Sequence, residues 1–242
     1  MKLNQSTCQT ELEKNGLIPK KYYGQVFTTD EKVIDKLIQT IKTIYRPGTK
    51  IVEIGGGLGY ITEKLAENFK NVEVVEFDED LYKVLKFKIE NLKLGVKLIH
   101  GDVLEYKPKD ENYVLVGNIP FHISGRLYRK FMSDIDHKPY GMVFITDKQY
   151  AMTLMGQPPR CYRVSLQAQS YGDIKIISDV PQTSVYPEPK VMSCIMKITQ
   201  NKTKLPKNFW KVVNYHFENF PTKEVESPKT VGLEKWIGLC NK

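Results

Sequence analysis

Residues that build metal centres and disulfide frameworks are scarce in this sequence. Its 242 residues include four cysteines and four histidines, and neither type is grouped at the spacing of metal ligands. The cysteines form no CxxC pair, so a zinc site is not expected, and reduced thiols in a cytoplasmic protein are the simplest interpretation. We therefore predict that no metal is bound.

Long apolar runs are missing as well. No stretch approaches the roughly 20 apolar residues that a membrane-spanning helix needs. The N-terminal stretch, MKLNQSTCQTELEKNG, lacks the apolar segment of a signal peptide. These absences argue against a membrane protein and favour a cytoplasmic location.

Positive charge, in contrast, is in excess. The sequence has 36 Lys and Arg residues against 28 Asp and Glu residues, a net charge of +8 at pH 7. Such a surface suits a polyanion such as nucleic acid, but many basic proteins bind none, so charge alone leaves the partner open. The hydrophobic fraction of 41% is enough for one full core and a small appendage.

The hydrophobic pattern predicts an α/β fold in which strands and helices alternate. Helical spacing of apolar residues begins at Val33 and ends at Ile41. Further helices are predicted at 60–69, 78–92 and 206–220, and strands at 50–54, 72–77, 96–100, 113–117, 141–146, 173–180 and 191–198. The last two strands, joined by the proline-rich 181–190, are expected to be antiparallel. The alternation predicts a mostly parallel sheet with helices on both faces.

In such a sheet, ligands bind at the carboxyl ends of the strands. The first strand ends at Glu53 and runs into Gly55 and Gly57, which permit a sharp turn and a close approach of a ligand to the main chain. The segment is not a P-loop, because no GK[ST] follows, and Tyr60 stands where GxGxxG would place its last glycine. A tight turn without a ligand explains the glycines alone.

The next two strand ends carry acidic residues. Glu76 lies about twenty residues beyond the glycines, the separation at which a carboxylate meets a ribose hydroxyl in nucleotide-binding βαβ units. Asp78 and Glu79 fit the start of the following helix better. Asp102, after the third strand, can accept a hydrogen bond from an exocyclic amine, although Gly-Asp is also a common turn. A nicotinamide dehydrogenase would share the glycine loop and the ribose acid.

The fourth strand ends in Asn118-Ile119-Pro120-Phe121, which such a dehydrogenase does not explain. The Asn118 amide oxygen and a main-chain carbonyl, which we assign to Ile119, can accept the hydrogens of an adenine N6 and make that nitrogen more nucleophilic. Pro120 fixes its own φ and biases Ile119 toward an extended conformation. Phe121 offers a face on which a flipped base can stack. A methyl sulfonium is a good leaving group, so no strong base is required.

Several motifs in order resemble the ribosomal RNA adenine N6-dimethyltransferases. They are YYGQVFTTD, VEIGGGLGYIT, VVEFDEDL, GDVL and GNIPFHIS, and the resemblance extends through VYPEPKVMSCIMKI, over about residues 11–198. The lead-in LEKNGLIPKKYYGQ is more similar to the KsgA-type enzymes of small-subunit rRNA than to the macrolide-resistance methylases of large-subunit rRNA. The triple glycine resembles archaeal members.

The resemblance implies a Rossmann-like class I methyltransferase that uses S-adenosyl-L-methionine, acts on rRNA within a small ribosomal subunit or its precursor, and works as a monomer. It implies a methyltransferase domain with an N-terminal arm over residues 1–198 and a short helical C-terminal region over 199–242. It also implies two adjacent target adenosines near the 3′ end, each receiving two methyl groups. In this group Asn118, Pro120 and Phe121 are catalytic, and the cofactor is bound by Gln25, Val26, Thr28, Glu53, Gly55, Gly57, Glu76, Asp102 and Asn118.

Within that set, the resemblance assigns separate parts of the cofactor. The segment from Gln25 to Thr28 and the glycines lie near its methionine end, partly through backbone atoms. Glu76 binds the ribose and Asp102 the adenine amine. Asn118 faces the sulfonium and holds the target N6, while Phe121 stacks on the target base.

Three features of the sequence depart from the family pattern. The usual GQ(N/H)FL is GQVFT here, so Val26 removes a polar side chain near the cofactor. Phe121 replaces the usual Tyr, a change that resistance methylases also tolerate. The basic run expected after FWKVVNYHF is replaced by ENFPTKEVESPK. Phosphate contacts are expected instead from Lys20, Lys21, Arg126, Arg129, Lys130, Arg160 and Arg163, although a solvated basic surface explains most of them equally well.

Two alternatives stay open. One is a resistance-type methylase of large-subunit rRNA, which the shortened C-terminus permits. The other is a ribosome-assembly or RNA-binding factor with the same fold and weak or no catalysis. Val26 and Thr28 leave room for it, while the intact residues Gly55, Glu76, Asp102 and Asn118 argue against it.

Overall fold

The computed structural model describes residues 3–109, 111–201, 204–221 and 225–240. Most strands lie in one seven-stranded sheet, and two short strands form a separate pair. The strands are β1 (Phe27–Thr28), β2 (Lys50–Ile54), β3 (Val72–Glu76), β4 (Val96–His100), β5 (Tyr113–Asn118), β6 (Gly141–Asp147), β7 (Gly172–Val180), β8 (Val185–Tyr186) and β9 (Ser193–Gln200).

The sheet has the order β4-β3-β2-β5-β6-β9-β7. Strands β2 to β6 are parallel, whereas β9 is antiparallel to both of its neighbours, β6 and β7. The predicted α/β fold with a mostly parallel seven-stranded sheet is thus confirmed. The chain order reverses between β2 and β5, and the crevice beyond the carboxyl ends of these two strands is where such sheets bind ligands.

Helices cover both faces of the sheet. They are α1 (Gln5–Lys14), α2 (Glu31–Lys42), α3 (Tyr60–Asn68), α4 (Glu79–Asn91), α5 (Ser124–Arg129), α6 (Lys148–Leu154), α7 (Arg163–Tyr171), α8 (Phe209–Asn219) and α9 (Leu233–Leu239). Strand β5 shows how both faces of the sheet are buried. Val114 and Val116 pack with α2, α3 and α4 on one face, and Tyr113 and Leu115 pack with α5, α6 and α7 on the other. Side chains alternate across a strand, so an unbroken apolar run fills two core layers.

The N-terminal arm contains a helix that its polar composition does not reveal. Helix α1 begins after Asn4, whose side chain accepts a hydrogen bond from the Thr7 N–H while the Thr7 hydroxyl accepts one from the Asn4 N–H. This capping box satisfies main-chain donors that would otherwise be unpaired. Cys8 and Leu12 form its buried face and pack with Phe27 of β1. The arm is therefore attached to the loop before α2.

The C-terminal helices pack around one buried tryptophan. Trp236 of α9 lies in an apolar cluster with Phe209 and Val213 of α8 and with Cys161 and Leu166 near α7. Of the stretch that replaces the expected basic run, residues 222–224 lie outside the described residues. Within the described ranges, no helix is long and apolar enough to cross a membrane.

Candidate functional site

A cavity of about 370 Å³ lies at the carboxyl ends of β2, β3, β4 and β5. Four strand-end segments and the loop before β1 meet there. Of the predicted site residues, the cavity is lined by Gln25, Val26, Thr28, Glu53, Gly55, Gly57, Glu76, Asp102, Asn118 and Pro120. Phe121 and Ile119 are not among the lining residues; Phe121 is half-buried and begins a 3₁₀ turn beside the cavity. The structure thus brings together every predicted cofactor residue and all but one of the predicted catalytic residues.

The glycine loop joins β2 to α3 through left-handed backbone conformations. Gly55 and Gly57 have φ of +71° and +56°, a region that side chains with a Cβ rarely adopt. Gly56, which sequence reasoning did not single out, must be a glycine for a different reason, which is close packing. A Cβ at Gly56 would lie 2.4 Å from Leu85 Cδ2 and 2.7 Å from Val74 Cγ1, so this glycine lets the loop lie directly on α4 and β3.

Glu76 is held rigidly at the end of β3. One carboxylate oxygen accepts the Gly57 N–H at 2.8 Å, and the other accepts the Asp78 N–H at 2.8 Å. Burial raises the pKa of Glu76, and these main-chain bonds oppose the rise. Each oxygen keeps a second acceptor site, so the carboxylate can bind two vicinal hydroxyls of a ribose.

Glu53 is a buried acid with one unused oxygen. Its Oε2 accepts the Thr62 hydroxyl at 2.6 Å, whereas Oε1 has no hydrogen-bond partner among the residues that the structure describes. Burial raises the pKa of Glu53 to about 8. A buried acceptor without a partner is costly, and a positively charged ligand in the cavity would relieve that cost.

Asp102 lies on the other side of the cavity, after β4. Its Oδ1 accepts the Leu104 N–H at 2.8 Å, which fixes the side chain in an Asx turn. The half-buried Asp102 lines the cavity together with Gly101 and Val103. Its carboxylate can therefore accept an exocyclic amine that reaches this end of the cavity.

Asn118 is oriented by contacts that sequence reasoning did not anticipate. Its Nδ2 donates to the Val26 main-chain oxygen at 3.0 Å and to Thr28 Oγ1 at 3.3 Å. A main-chain carbonyl can only accept, so the amide nitrogen must face Val26, and Oδ1 is left as an acceptor. Because Val26 takes part through its backbone, loss of the usual polar side chain there leaves this contact intact.

The loop before β1 is attached to the end of β3 by a polar network. Gln25 Nε2 donates to Asp78 Oδ2 at 3.0 Å, and the Lys20 ammonium lies 2.7 Å from the same oxygen and 2.8 Å from Asp80 Oδ2. Asp78 also caps α4 through Oδ1, as its position in the sequence suggests. Gln25 thus both lines the cavity and holds the loop in place.

The basic residues expected at phosphates have different surroundings. Lys20 is occupied by two carboxylates, and Arg129 and Arg163 pair with Asp134 and Glu218 at 3.2 and 3.5 Å. Lys130 donates to the main-chain oxygens of Leu104 and Tyr106. Of the seven, Lys21, Arg126 and Arg160 are exposed and have no carboxylate partner among the residues that the structure describes.

A mostly parallel α/β sheet of this order, with a glycine loop and polar side chains at its strand ends, is the fold of the Rossmann-like methyltransferases. The chain matches the sequence profile of ribosomal RNA adenine dimethylases over residues 18–224. It therefore belongs to the ribosomal RNA adenine dimethylase family, whose enzymes use S-adenosyl-L-methionine. The predicted family and cofactor are confirmed, while the archaeal source stays a prediction.

Curated relatives with two different names are similar to this chain. An rRNA adenine N-6-methyltransferase of Enterococcus faecalis is 30% identical and aligns over 84% of this chain and 80% of the relative. A ribosomal RNA small subunit methyltransferase A of Dehalococcoides mccartyi is also 30% identical, over 79% of this chain and 66% of the relative.

Two solved structures share the fold. The 23S rRNA methyltransferase ErmE has a TM-score of 0.72 at 21% identity, with coverage of 89% of this chain and 98% of ErmE. A dimethyladenosine transferase of Plasmodium falciparum has a TM-score of 0.63 at 24% identity, with coverage of 71% of this chain and 62% of the other.

Proposed function

We propose that the protein transfers methyl groups from S-adenosyl-L-methionine to N6 of adenosines in small-subunit ribosomal RNA, and that two adjacent adenosines near the 3′ end each become dimethylated. The observation that carries this proposal is the orientation of Asn118, whose amide nitrogen is bound to the Val26 carbonyl so that Oδ1 is left to accept from a substrate amine.

The cavity residues fit the cofactor at its distinct groups. Glu76 is assigned to the ribose hydroxyls and Asp102 to the adenine amine. Glu53, with its unpartnered buried oxygen, is assigned to the cationic methionine end next to Gly55 and Gly57. The bound cofactor supplies an electrophilic methyl group on a sulfonium.

The remaining residues act on the substrate. Asn118 Oδ1 accepts a hydrogen of N6 and aims the nitrogen lone pair, an arrangement that the Val26 contact fixes before the substrate arrives. The Ile119 carbonyl is assigned as the second acceptor. Phe121, beside the cavity at the start of its 3₁₀ turn, is assigned as the stacking face for the flipped adenine after Pro120.

Location, assembly and domain division complete the proposal. We place the enzyme in the cytoplasm, as a monomer that acts on a small ribosomal subunit or its precursor. Residues 1–198 are proposed as the methyltransferase domain and 199–242 as a reduced helical region. The apolar cluster around Trp236 supports a distinct region, and its contacts with Cys161 and Leu166 support close attachment to the larger domain.

Methylation of large-subunit rRNA is a second candidate, and one observation favours it. The fold matches that of the 23S rRNA methyltransferase ErmE with a TM-score of 0.72, against 0.63 for the dimethyladenosine transferase. The small-subunit assignment rests on the N-terminal lead-in from 12 to 25, part of which forms the end of α1 and the Lys20–Gln25 attachment.

The test is methyl transfer from labelled cofactor to unmodified small and large subunits in parallel, followed by mass spectrometry of nucleosides. Dimethyladenosine in small-subunit RNA alone is the expected result. Label in large-subunit RNA alone would support the second candidate. Label in neither, with cofactor still bound in calorimetry, would favour an assembly factor with weak catalysis.

A further inference from the structure

We propose that Lys130 is a positioning residue for the cofactor, because its ammonium group holds the loop after β4 and, with that loop, the carboxylate of Asp102. The inference deepens the proposed function, since it rests on the assignment of Asp102 to the adenine amine. It also gives Lys130 a role other than the phosphate contact that the sequence suggested.

The loop after β4 leaves the outermost strand of the sheet, which pairs with β3 alone among the described strands. The main-chain oxygen of Asp102 closes a turn there by accepting the N–H groups of Glu105 and Tyr106 at 2.9 and 3.1 Å. Asp102 Oδ1 accepts the Leu104 N–H within the same turn. These bonds shape the turn without attaching it to the rest of the fold. The place of Asp102 in the cavity therefore depends on what holds the turn as a whole.

Lys130 attaches this turn through its main chain. Its Nζ donates to the Leu104 oxygen at 2.7 Å and to the Tyr106 oxygen at 2.5 Å. The two carbonyls lie two and four residues after Asp102, so one ammonium spans the second half of the turn. The Tyr106 hydroxyl adds a separate attachment by donating to Glu73 of β3 at 2.6 Å. Leu104 lines the cavity together with Asp102, so Lys130 holds the same turn that forms the cavity wall.

The ammonium of Lys130 is placed where a charge is costly. The residue is half-buried, and its Nζ lies 5.3 Å from the centroid of the Phe131 ring. Burial lowers the pKa of Lys130, and the charges of Glu105 and Asp102 oppose that fall. A lysine that served only solubility would extend its ammonium into water. The position of Lys130 is better explained by the turn that it holds.

Lys130 acts from outside the cavity. It is not among the lining residues, and it begins the π-helical turn that follows α5. Helix α5 is fixed to the sheet by the buried side chains of Leu127 and Tyr128. A turn held from a packed helix is in place before the cofactor arrives, so less conformational entropy is lost on binding. Loss of Lys130 should therefore weaken cofactor binding and leave the transfer step unaltered once the cofactor is bound.

The test is calorimetry of S-adenosyl-L-methionine binding to Lys130→Met, which keeps a long side chain and removes the donors. We expect the Kd to rise about tenfold, the order that a hydrogen bond to a charged group contributes. The single-turnover rate of methyl transfer at saturating cofactor should not change, because the contacts of Asn118 are untouched. Lys130→Arg should restore most of the affinity, because a guanidinium can donate to both oxygens.

Lys107→Met is the matched control. Lys107 is an exposed lysine next to Tyr106, and it makes no hydrogen bond or ion pair in the described ranges. The substitution removes a positive charge near the turn without removing a contact that holds it. Its Kd for the cofactor should equal that of the wild type.

A double variant separates positioning from a general loss of stability. In the Asp102→Ala background, Lys130→Met should cause little further loss of affinity, because the turn then has no carboxylate to position. An equally large loss in that background, or an unchanged Kd in Lys130→Met alone, would overturn the inference. Wild-type affinity in Asp102→Ala would refute the adenine assignment and the inference with it. The calorimetry needs no RNA, so its outcome does not depend on which rRNA is methylated.

Discussion

At the scale of single residues, Glu53 shows how the fold changes the pKa of a carboxyl group that has no special feature in the sequence. It lies between Val52 and Ile54 near the end of β2, and its buried carboxylate accepts the Thr62 hydroxyl. Burial, which is the main cause, and the nearby charge of Glu76 raise its pKa to about 8. The sequence indicates an acid at this strand end, but only the structure shows that it is buried with one unpartnered oxygen.

A pH dependence of stability follows from this raised pKa. Between the ordinary carboxyl pKa of 4.5 and about 8, the folded protein retains a proton that the unfolded chain has released. The contribution of Glu53 to the free energy of unfolding must therefore fall as pH rises through this window. We expect Glu53→Gln, measured without cofactor, to gain stability relative to wild type between pH 5 and pH 8.

Urea denaturation at several pH values measures this difference. Thr62→Val serves as the control, because it removes the hydroxyl bonded to Glu53 while leaving the carboxyl in place. A difference between Glu53→Gln and wild type that stays constant with pH would contradict the raised pKa.

At the scale of elements, the segments with a strong apolar pattern were predictable, and the short or polar ones, including α1, were not. Strands such as Tyr113–Asn118 are buried on both faces, and the sequence shows this as the apolar run YVLV. Helices α5 and α6 have six and seven residues, too few for a clear helical period, and they form because one side packs on the sheet. The pair of β1 and β8 is two residues long and joins positions more than 150 residues apart, so no local pattern marks it.

The candidate site was also predictable only in part. Which residues stand at strand ends follows from the sequence, because parallel strands bring their carboxyl ends together. How the side chains are oriented does not, because Asn118 is positioned by Val26, 92 residues away, and Gln25 by Asp78, 53 residues away. Such contacts leave no local signal.

The role of the loop before β1 in cofactor binding can be tested through the ion pair of Lys20 and Asp78. Lys20→Met and Asp78→Asn should each weaken cofactor affinity about fivefold, because the loop that carries Val26 is released at one end. Asparagine keeps the cap of α4, so the Tm should change little. The double variant should lose less affinity than the sum of the two single losses, since both substitutions remove the Lys20–Asp78 contact.

Lys83→Met provides the control, because it breaks an exposed pair with Glu79 at 2.8 Å on the same helix α4. Cofactor affinity measured by calorimetry should not change in that variant. Additive losses in the double variant would mean that Lys20 and Asp78 act independently.

At the scale of the whole molecule, the C-terminal helices share a core with the rest of the chain. Trp236 is fully buried between α8 and residues near α7. We expect Trp236→Ala to lower the free energy of unfolding by about 3–5 kcal/mol, the cost of emptying a large buried site. Thermal unfolding should shift as one transition, because the cluster includes Cys161 and Leu166 near α7.

Tyr215→Ala is the matched control, since Tyr215 lies on the same helix α8 but is 57% exposed. It should leave the unfolding transition nearly in place. Two separate transitions, of which Trp236→Ala shifts one, would show that residues 199–242 unfold independently.

The central claim is that Asn118 holds the methyl acceptor, and the most direct measurement is the single-turnover rate of methyl transfer by Asn118→Ala at saturating cofactor. The rate should fall about 10²-fold or more, as when a positioned polar group is removed from a transition state. Cofactor affinity should fall far less, because only the Val26 and Thr28 contacts are lost. Thr28→Val, which leaves Oδ1 of Asn118 in place, should keep the wild-type rate. A wild-type rate in Asn118→Ala would contradict the mechanism.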